Sequence, residues 1–351
     1  MSGGSRTFYP VASLPDTNAR QPTMPIRPPS SSLLCIDSED RNQDYTVSRD
    51  ASTSPYSFSI NKAESIMNGF FTRLGVTEVV FPWVIPNINP KTNEIIVNVT
   101  VGGGGIVSRT LTLNPSFVKP SELATVMQAG VRTLFNDTAS MAGFTMIYGS
   151  VATVAVTASG VPVFSYATNA VGTLVSFSPV PYNTATYPYP SNTKQLFDVL
   201  GFSTGSNTTL SASAFGGATF CAPIRYVDIV STQLTYNQAL KDSMSQQVVR
   251  DTLCRIYISS QGNQSTVSPT DATFCPPGCA PTTIYRDFAS PKLIQWLPNQ
   301  PVPGYLRFEV LDDTGAPLYE SDPFAASTTS GAFPAQINRT DWSMTLQVTE
   351  N

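Results

Sequence analysis

The sequence predicts an all-β fold, a sandwich or a barrel, on three observations. Short runs rich in Val, Ile, Thr, Tyr and Phe alternate apolar and polar residues. Pro, Gly and Asn punctuate those runs where turns are needed. No strand–helix–strand alternation occurs, which argues against a Rossmann-like or (β/α)8 architecture. The 351 residues suffice for one large or two modest domains, each with its own core.

In chain order, residues 1–33 form an extended, proline-rich arm, and residues 34–351 form the β-rich body. Pro10, Pro15, Pro22, Pro25, Pro28 and Pro29 fix φ and cannot donate to a ladder. Arg6, Arg20 and Arg27 outweigh Asp16 there. The arm reads either as a disordered tail or as a segment that orders on a partner surface. Strands are predicted at 56–60, 70–81, 94–101, 106–113, 144–148, 151–157, 161–166, 174–177, 225–234, 252–259, 293–297, 305–311 and 342–348. One clear helix covers 121–135, where Pro120 precedes a stripe of Leu123, Val126, Met127, Val131 and Leu134. A shorter helix is predicted at 193–200, stopped by Gly201. Residues 114–222 form an inserted subdomain in one reading, with two tandem sandwiches as the alternative. The small, polar stretches 203–220 and 260–285 read as long surface loops.

Composition excludes several chemistries. Histidine is absent, which removes Ser–His and Cys–His catalysis, His-ligated zinc and an imidazole proton shuttle. The formal net charge of −4 lacks the basic field of a general nucleic-acid binder. Only 13% of residues are charged, about half the usual fraction. Surfaces made of Ser, Thr, Asn, Gln and Pro suit a protein packed against neighbours. The start MSGGSRTFYP has no apolar core of a signal peptide, and no run reaches the roughly 18 apolar residues of a membrane span. A reducing compartment and free thiols are therefore expected for Cys35, Cys221, Cys254, Cys275 and Cys279. The Asn-x-Ser/Thr triplets at Asn98, Asn136, Asn207, Asn263 and Asn338 are read as chance.

Each motif with a chemical reading also has a plain one. Asp313-Thr314-Gly315 resembles an aspartic-protease loop, which needs a second aspartate to share its proton. No second loop exists in the sequence, so a β-turn is expected. The four glycines at 102–105 lack the helix and Lys-Ser/Thr pair of a phosphate loop and read as a hairpin. Cys275 and Cys279 resemble half a metal knuckle, completed only if Cys221 and Cys254 approach. A local disulfide is the other alternative. Asp37, Glu39, Asp40 and Asp44 could hold a hard cation, or pair with Arg41 or Arg49 across a subunit contact. Phe81, Trp83, Tyr182, Tyr187, Tyr189, Trp296 and Trp342 could form a stacking face, with core packing the plainer role. No catalytic, cofactor-binding or metal-binding residue is assigned, and no cofactor is expected.

Seven segments, taken in order, resemble the minor capsid or penton proteins of virophages, polinton-like viruses and nucleocytoplasmic large DNA viruses. These are 35–41 (CIDSEDR), 54–60 (SPYSFSI), 74–93 (LGVTEVVFPWVIPNINPKTN), the helix at 120–134, 196–202 (LFDVLGF), 226–234 (YVDIVSTQL) followed by Asp242, and 308–318 (FEVLDDTGAPL). The resemblance spans most of residues 35–348 and carries no catalytic signature. It implies a single or tandem jelly-roll sandwich with inserted structure, a structural rather than enzymatic protein, and a place in the virion. The implied partners are sibling copies in a pentamer at an icosahedral vertex, the major capsid protein and other minor capsid proteins, with no specific nucleic acid. The arm and the two loops depart from the pattern. They leave open a cement role between or beneath the major capsomers, or a glycan-binding attachment module.

Overall fold

The computed structural model describes residues 31–39, 55–61, 71–150, 162–218, 221, 223–235, 242–243, 249–258, 278–296, 301–318 and 341–349. The expected arm (1–30) and the strand expected at 151–157 lie outside them. Strands β1 (Ser31–Asp37), β2 (Ser57–Asn61) and β3 (Arg73–Trp83) come first. Strands β4 (Glu94–Val101) and β5 (Val107–Thr112) and helix α1 (Pro120–Leu134) follow. Next are β6 (Thr145–Ser150), β7 (Pro162–Ala167), β8 (Thr173–Ser178), helix α2 (Leu196–Val199) and β9 (Ser213–Ala218). The chain continues through β10 (Tyr226–Val230), the short pair β11 (Asp242–Ser243) and β12 (Val249–Arg250), and β13 (Thr252–Tyr257). It ends with β14 (Thr282–Asp287), β15 (Leu293–Gln295), β16 (Tyr305–Leu311) and β17 (Ser343–Thr349).

Two sheets make the main body. One has the order β1-β17-β3-β14, and the other has the order β13-β10-β16-β2. Every pairing in them is antiparallel. β15 pairs β3 at Arg73–Gly75, and β14 pairs the same edge at Glu78–Trp83, so the two act as one interrupted edge strand. Counted that way, eight strands are ordered 1-8-3-6 in one sheet and 2-7-4-5 in the other. That order is the double-Greek-key jelly roll. Each strand contributes its inward set by alternation. In β16, Leu306, Phe308 and Val310 are buried, and in β17, Met344, Leu346 and Val348 are buried. The central packing is aromatic: Phe58, Phe308 and Trp342 meet with ring centroids 5.5–6.2 Å apart. Trp342 Nε1 is not wasted in this core, since it donates to the Pro55 carbonyl at 2.7 Å.

Residues 84–225 leave the sandwich between its third and fourth strands and build a second apolar core. Two three-stranded sheets, β5-β4-β8 and β6-β7-β9, enclose it together with α1. Helix α1 starts at Pro120, which needs no amide partner there, and the Glu122 carboxylate accepts the Lys119 N–H at 3.1 Å. Leu123, Met127 and Val131 repeat every fourth residue and face the core. Helix α2 stops at Gly201, whose φ of +66° suits glycine, and a Cβ there would strike the Gly217 carbonyl. The second core draws on residues from Ile88 to Cys221, so β4 and β5 lie with it, ahead of residue 114.

Three stretches differ from expectation. Residues 213–218 form strand β9, paired to β7, within the stretch expected to be a loop. Its sequence, SAFGGA, has little strand propensity, and close backbone approach to Gly201 holds it instead. Residues 282–287, at the end of the second expected loop, form edge strand β14, in which only Ile284 is buried. An edge strand with one inward residue leaves no alternation to read. Ser31, Ser32 and Leu33, expected in the arm, are the first rungs of β1 against β17.

Replacing Trp342 with Ala empties the centre of the sandwich and should cost about 3–5 kcal/mol of unfolding free energy in urea titration.

Candidate functional site

The candidate site is the junction where the excursion returns to the sandwich. A small cavity of about 20 Å³ lies there, lined among others by Lys91, Thr193 and Lys194 from the excursion and by Asp312, Asp313 and Thr314 from the sandwich. Each side is built by short-range hydrogen bonding. After β16, Asp312 N–H donates to the Ala316 carbonyl at 2.9 Å, and Gly315 N–H donates to the Asp312 carbonyl at 2.9 Å. Asp312 Oδ1 then accepts from Thr314 N–H (2.9 Å), Thr314 Oγ1 (2.6 Å) and Ala316 N–H (2.9 Å). Gly315 turns the chain at φ +89°. The Asp-Thr-Gly segment is thus the turn expected of it, and Asp312 caps it in the manner of an Asx turn.

Opposite it, the segment after β3 is held by its asparagines. Asn87 donates to the carbonyls of Val118 (2.8 Å) and Cys221 (3.3 Å) and accepts from Val118 N–H (2.9 Å). Asn89 Oδ1 accepts from Lys91 N–H at 2.9 Å. Tyr187 Oη donates to the Lys91 carbonyl at 2.6 Å. These bonds direct the Lys91 ammonium into the junction, where it lies 3.4 Å from Asp312 Oδ2. Both side chains are only 6% exposed.

Asp313 anchors the second contact. Its Oδ2 accepts from Lys194 Nζ at 2.8 Å and Arg225 Nε at 3.1 Å, and its side chain is 1% exposed. Lys194 Nζ also donates to the Pro223 carbonyl. Two cations, rather than a second carboxyl, face Asp313 Oδ2, so the shared-proton arrangement of an aspartic protease is not built here. The arrangement instead clamps excursion to sandwich through charge.

The other sequence candidates lie apart. The four glycines at 102–105 join β4 to β5 as a hairpin loop, closed by Thr100 Oγ1 donating to the Gly104 carbonyl at 2.8 Å. Asp37 Oδ1 accepts the Glu39 N–H at 2.8 Å, while Asp40, Arg41, Asp44 and Arg49 lie outside the described residues. Phe81, Trp83, Trp296 and Trp342 are buried in the sandwich core, and Tyr182, Tyr187 and Tyr189 pack edge to face at the junction's margin. They are packing groups rather than a stacking platform. Cys221 belongs to the excursion's core and Cys254 to the sandwich's core, so the two do not converge with Cys279 on a metal. Cys279 is disulfide-bonded, against the expectation of free thiols, and Cys275 lies outside the described residues. Asp228, in β10, holds Arg255 on the neighbouring strand through bonds of 2.7 and 3.0 Å, with the guanidinium 3.9 Å from the Tyr226 ring centroid. That bidentate bond raises the Arg255 pKa above its ordinary value.

Sequence reasoning missed Lys91, Lys194 and Arg225. Their signal was faint: isolated cations in a chain poor in charge, each far in sequence from its acidic partner.

No family model and no curated protein matches the sequence. Among solved structures, the chain is similar to the mavirus penton protein, at 12% identity and a TM-score of 0.46, covering 92% of this chain and 99% of that one. It is also similar to a chain of the Sputnik virophage, at 12% identity and a TM-score of 0.39, covering 91% and 98% respectively.

Two measurements check the site and the thiols. Asp313→Ala removes the buried carboxylate that holds Lys194 and Arg225 and should cost about 1–3 kcal/mol, whereas Arg225→Ala, at a side chain 71% exposed, should cost about 1 kcal/mol or less; thermal denaturation distinguishes them. Burial pushes the Cys221 and Cys254 thiols up, so at neutral pH they stay protonated and poorly nucleophilic. Iodoacetamide should therefore label exposed Cys35 in the native protein, and Cys221 and Cys254 only after unfolding, as read by peptide mass.

Proposed function

We propose that this chain is a structural capsid protein that assembles with copies of itself as a penton at icosahedral vertices. The observation that carries the reading is the strand order, 1-8-3-6 against 2-7-4-5, an architecture shared by capsid proteins, lectins and cupins. The cupin alternative loses its usual imidazole ligands in a chain without histidine. The ordered segments resembling penton proteins favour a capsid over a lectin.

Assembly by rings suits the surface. Five copies would meet heterologously, one flank against a different flank, and close by rotation. The edge formed by β13 and β14 exposes Tyr257 and Tyr285, and Arg286 reaches across it to the Tyr257 carbonyl at 3.3 Å. Exposed tyrosine and arginine are the residue types that anchor protein interfaces. A surface poor in like charge lets copies approach without strong repulsion. The major capsid protein and other minor capsid proteins are the further partners of this reading, and the virion is its location.

Quantitative mass spectrometry of purified particles tests it. A penton is expected at about 60 copies, five at each of twelve vertices. A copy number several-fold higher would point to cement between capsomers. Absence from the particles would overturn the capsid reading.

A further inference from the structure

The Lys91–Asp312 pair is poorly made for an ion pair and well made for a reaction. Its two side chains are almost fully buried, yet Nζ and Oδ2 are 3.4 Å apart, beyond the roughly 2.7–2.9 Å of a charge-assisted bond. A buried pair of charges with loose geometry recovers little of its desolvation cost. The two carboxylate oxygens of Asp312 are also unlike. Oδ1 accepts three donors, from Thr314 N–H, Thr314 Oγ1 and Ala316 N–H, while Oδ2 faces the amine. Three fixed donors on one oxygen are what stabilise a developing oxyanion. Lys91 is fixed from behind, through its N–H to Asn89 and its carbonyl to Tyr187.

We propose that Lys91 and Asp312 condense into an isopeptide bond that ties the excursion covalently to the sandwich. Transfer of one proton within the pair turns ammonium and carboxylate into amine and acid. Nζ attacks Cγ, and the N–C bond forms as negative charge collects on Oδ1 among its three donors. The nitrogen then gives up a proton, Oδ2 takes it, and the Cγ–Oδ2 bond breaks to release water. Ammonium plus carboxylate become amide plus one water, with no oxidant or co-reactant. Asp313 lines the same cavity, and its Oδ1 is buried without a hydrogen-bond partner. The cavity of about 20 Å³ has room for about one departing water. In the amide product, Oδ1 keeps its three donors and no charge remains buried at the pair. The bond would close a loop between residues 221 apart in the chain.

The inference does not rest on the capsid reading, because it concerns the isolated chain. Its test is mass spectrometry of the full-length, folded protein, denatured and digested with trypsin. The expected result is an intact mass lower by one water, about 18 Da, and a branched peptide joining residues 74–109 to residues 308–339. In Asp312→Asn the same bond should release ammonia, about 17 Da, and give the same branched peptide. Lys91→Met should yield only linear peptides. Recovery of linear 74–91 and 308–339 from the folded wild-type chain overturns the proposal. A water loss confined to linear 308–339, as in succinimide formation, overturns it equally, and so does a branch that persists in Lys91→Met.

Discussion

Strand β17 is the constraint on which the fold depends. It comes last in the chain, yet it lies between β1 and β3 and hydrogen-bonds both. Until it is in place, the sheet has no centre and the inward rows of Met344, Leu346 and Val348 have nothing to cover. The entry to β17 is fastened twice: Ser38 N–H donates to the Trp342 carbonyl at 2.9 Å, and Trp342 N–H donates to Ser38 Oγ at 2.9 Å. The jelly roll is therefore closed by its two ends, which lets everything between them vary.

That closure explains how the chain tolerates a long excursion between β3 and β10. Loop-closure entropy rises only logarithmically with length, so a long insertion costs little more than a short one once its own core offsets the ordering of its residues. The excursion does this with α1 and two small sheets. It leaves the sandwich after Trp83 and returns before Tyr226. The charge clamp of Lys194 and Arg225 on Asp313 sits at that junction, beside the Lys91–Asp312 pair.

The turn after β16 serves both bodies at once. Asp312 orders the turn through Oδ1 and meets the excursion through Oδ2, while Asp313 points to two cations. A motif that in isolation suggests proteolysis becomes a joint when its surroundings are cations. The meaning of an aspartate is set by what faces it.

Much of this was legible in the residues. Alternation marked β4, β16 and β17, because each has one face on a core and period 2 survives in sequence. The fourfold repeat of Leu123, Met127 and Val131 and the proline before it marked α1. Asp and Gly marked the turn after β16. Tertiary structure alone decided β9 and β14, where small or mostly exposed residues carry no period and a neighbouring strand supplies the order. It alone also decided the clamp, since Coulomb attraction depends on distance in space. Lys91 and Asp312 lie 221 residues apart in the chain and are neighbours only in the folded structure.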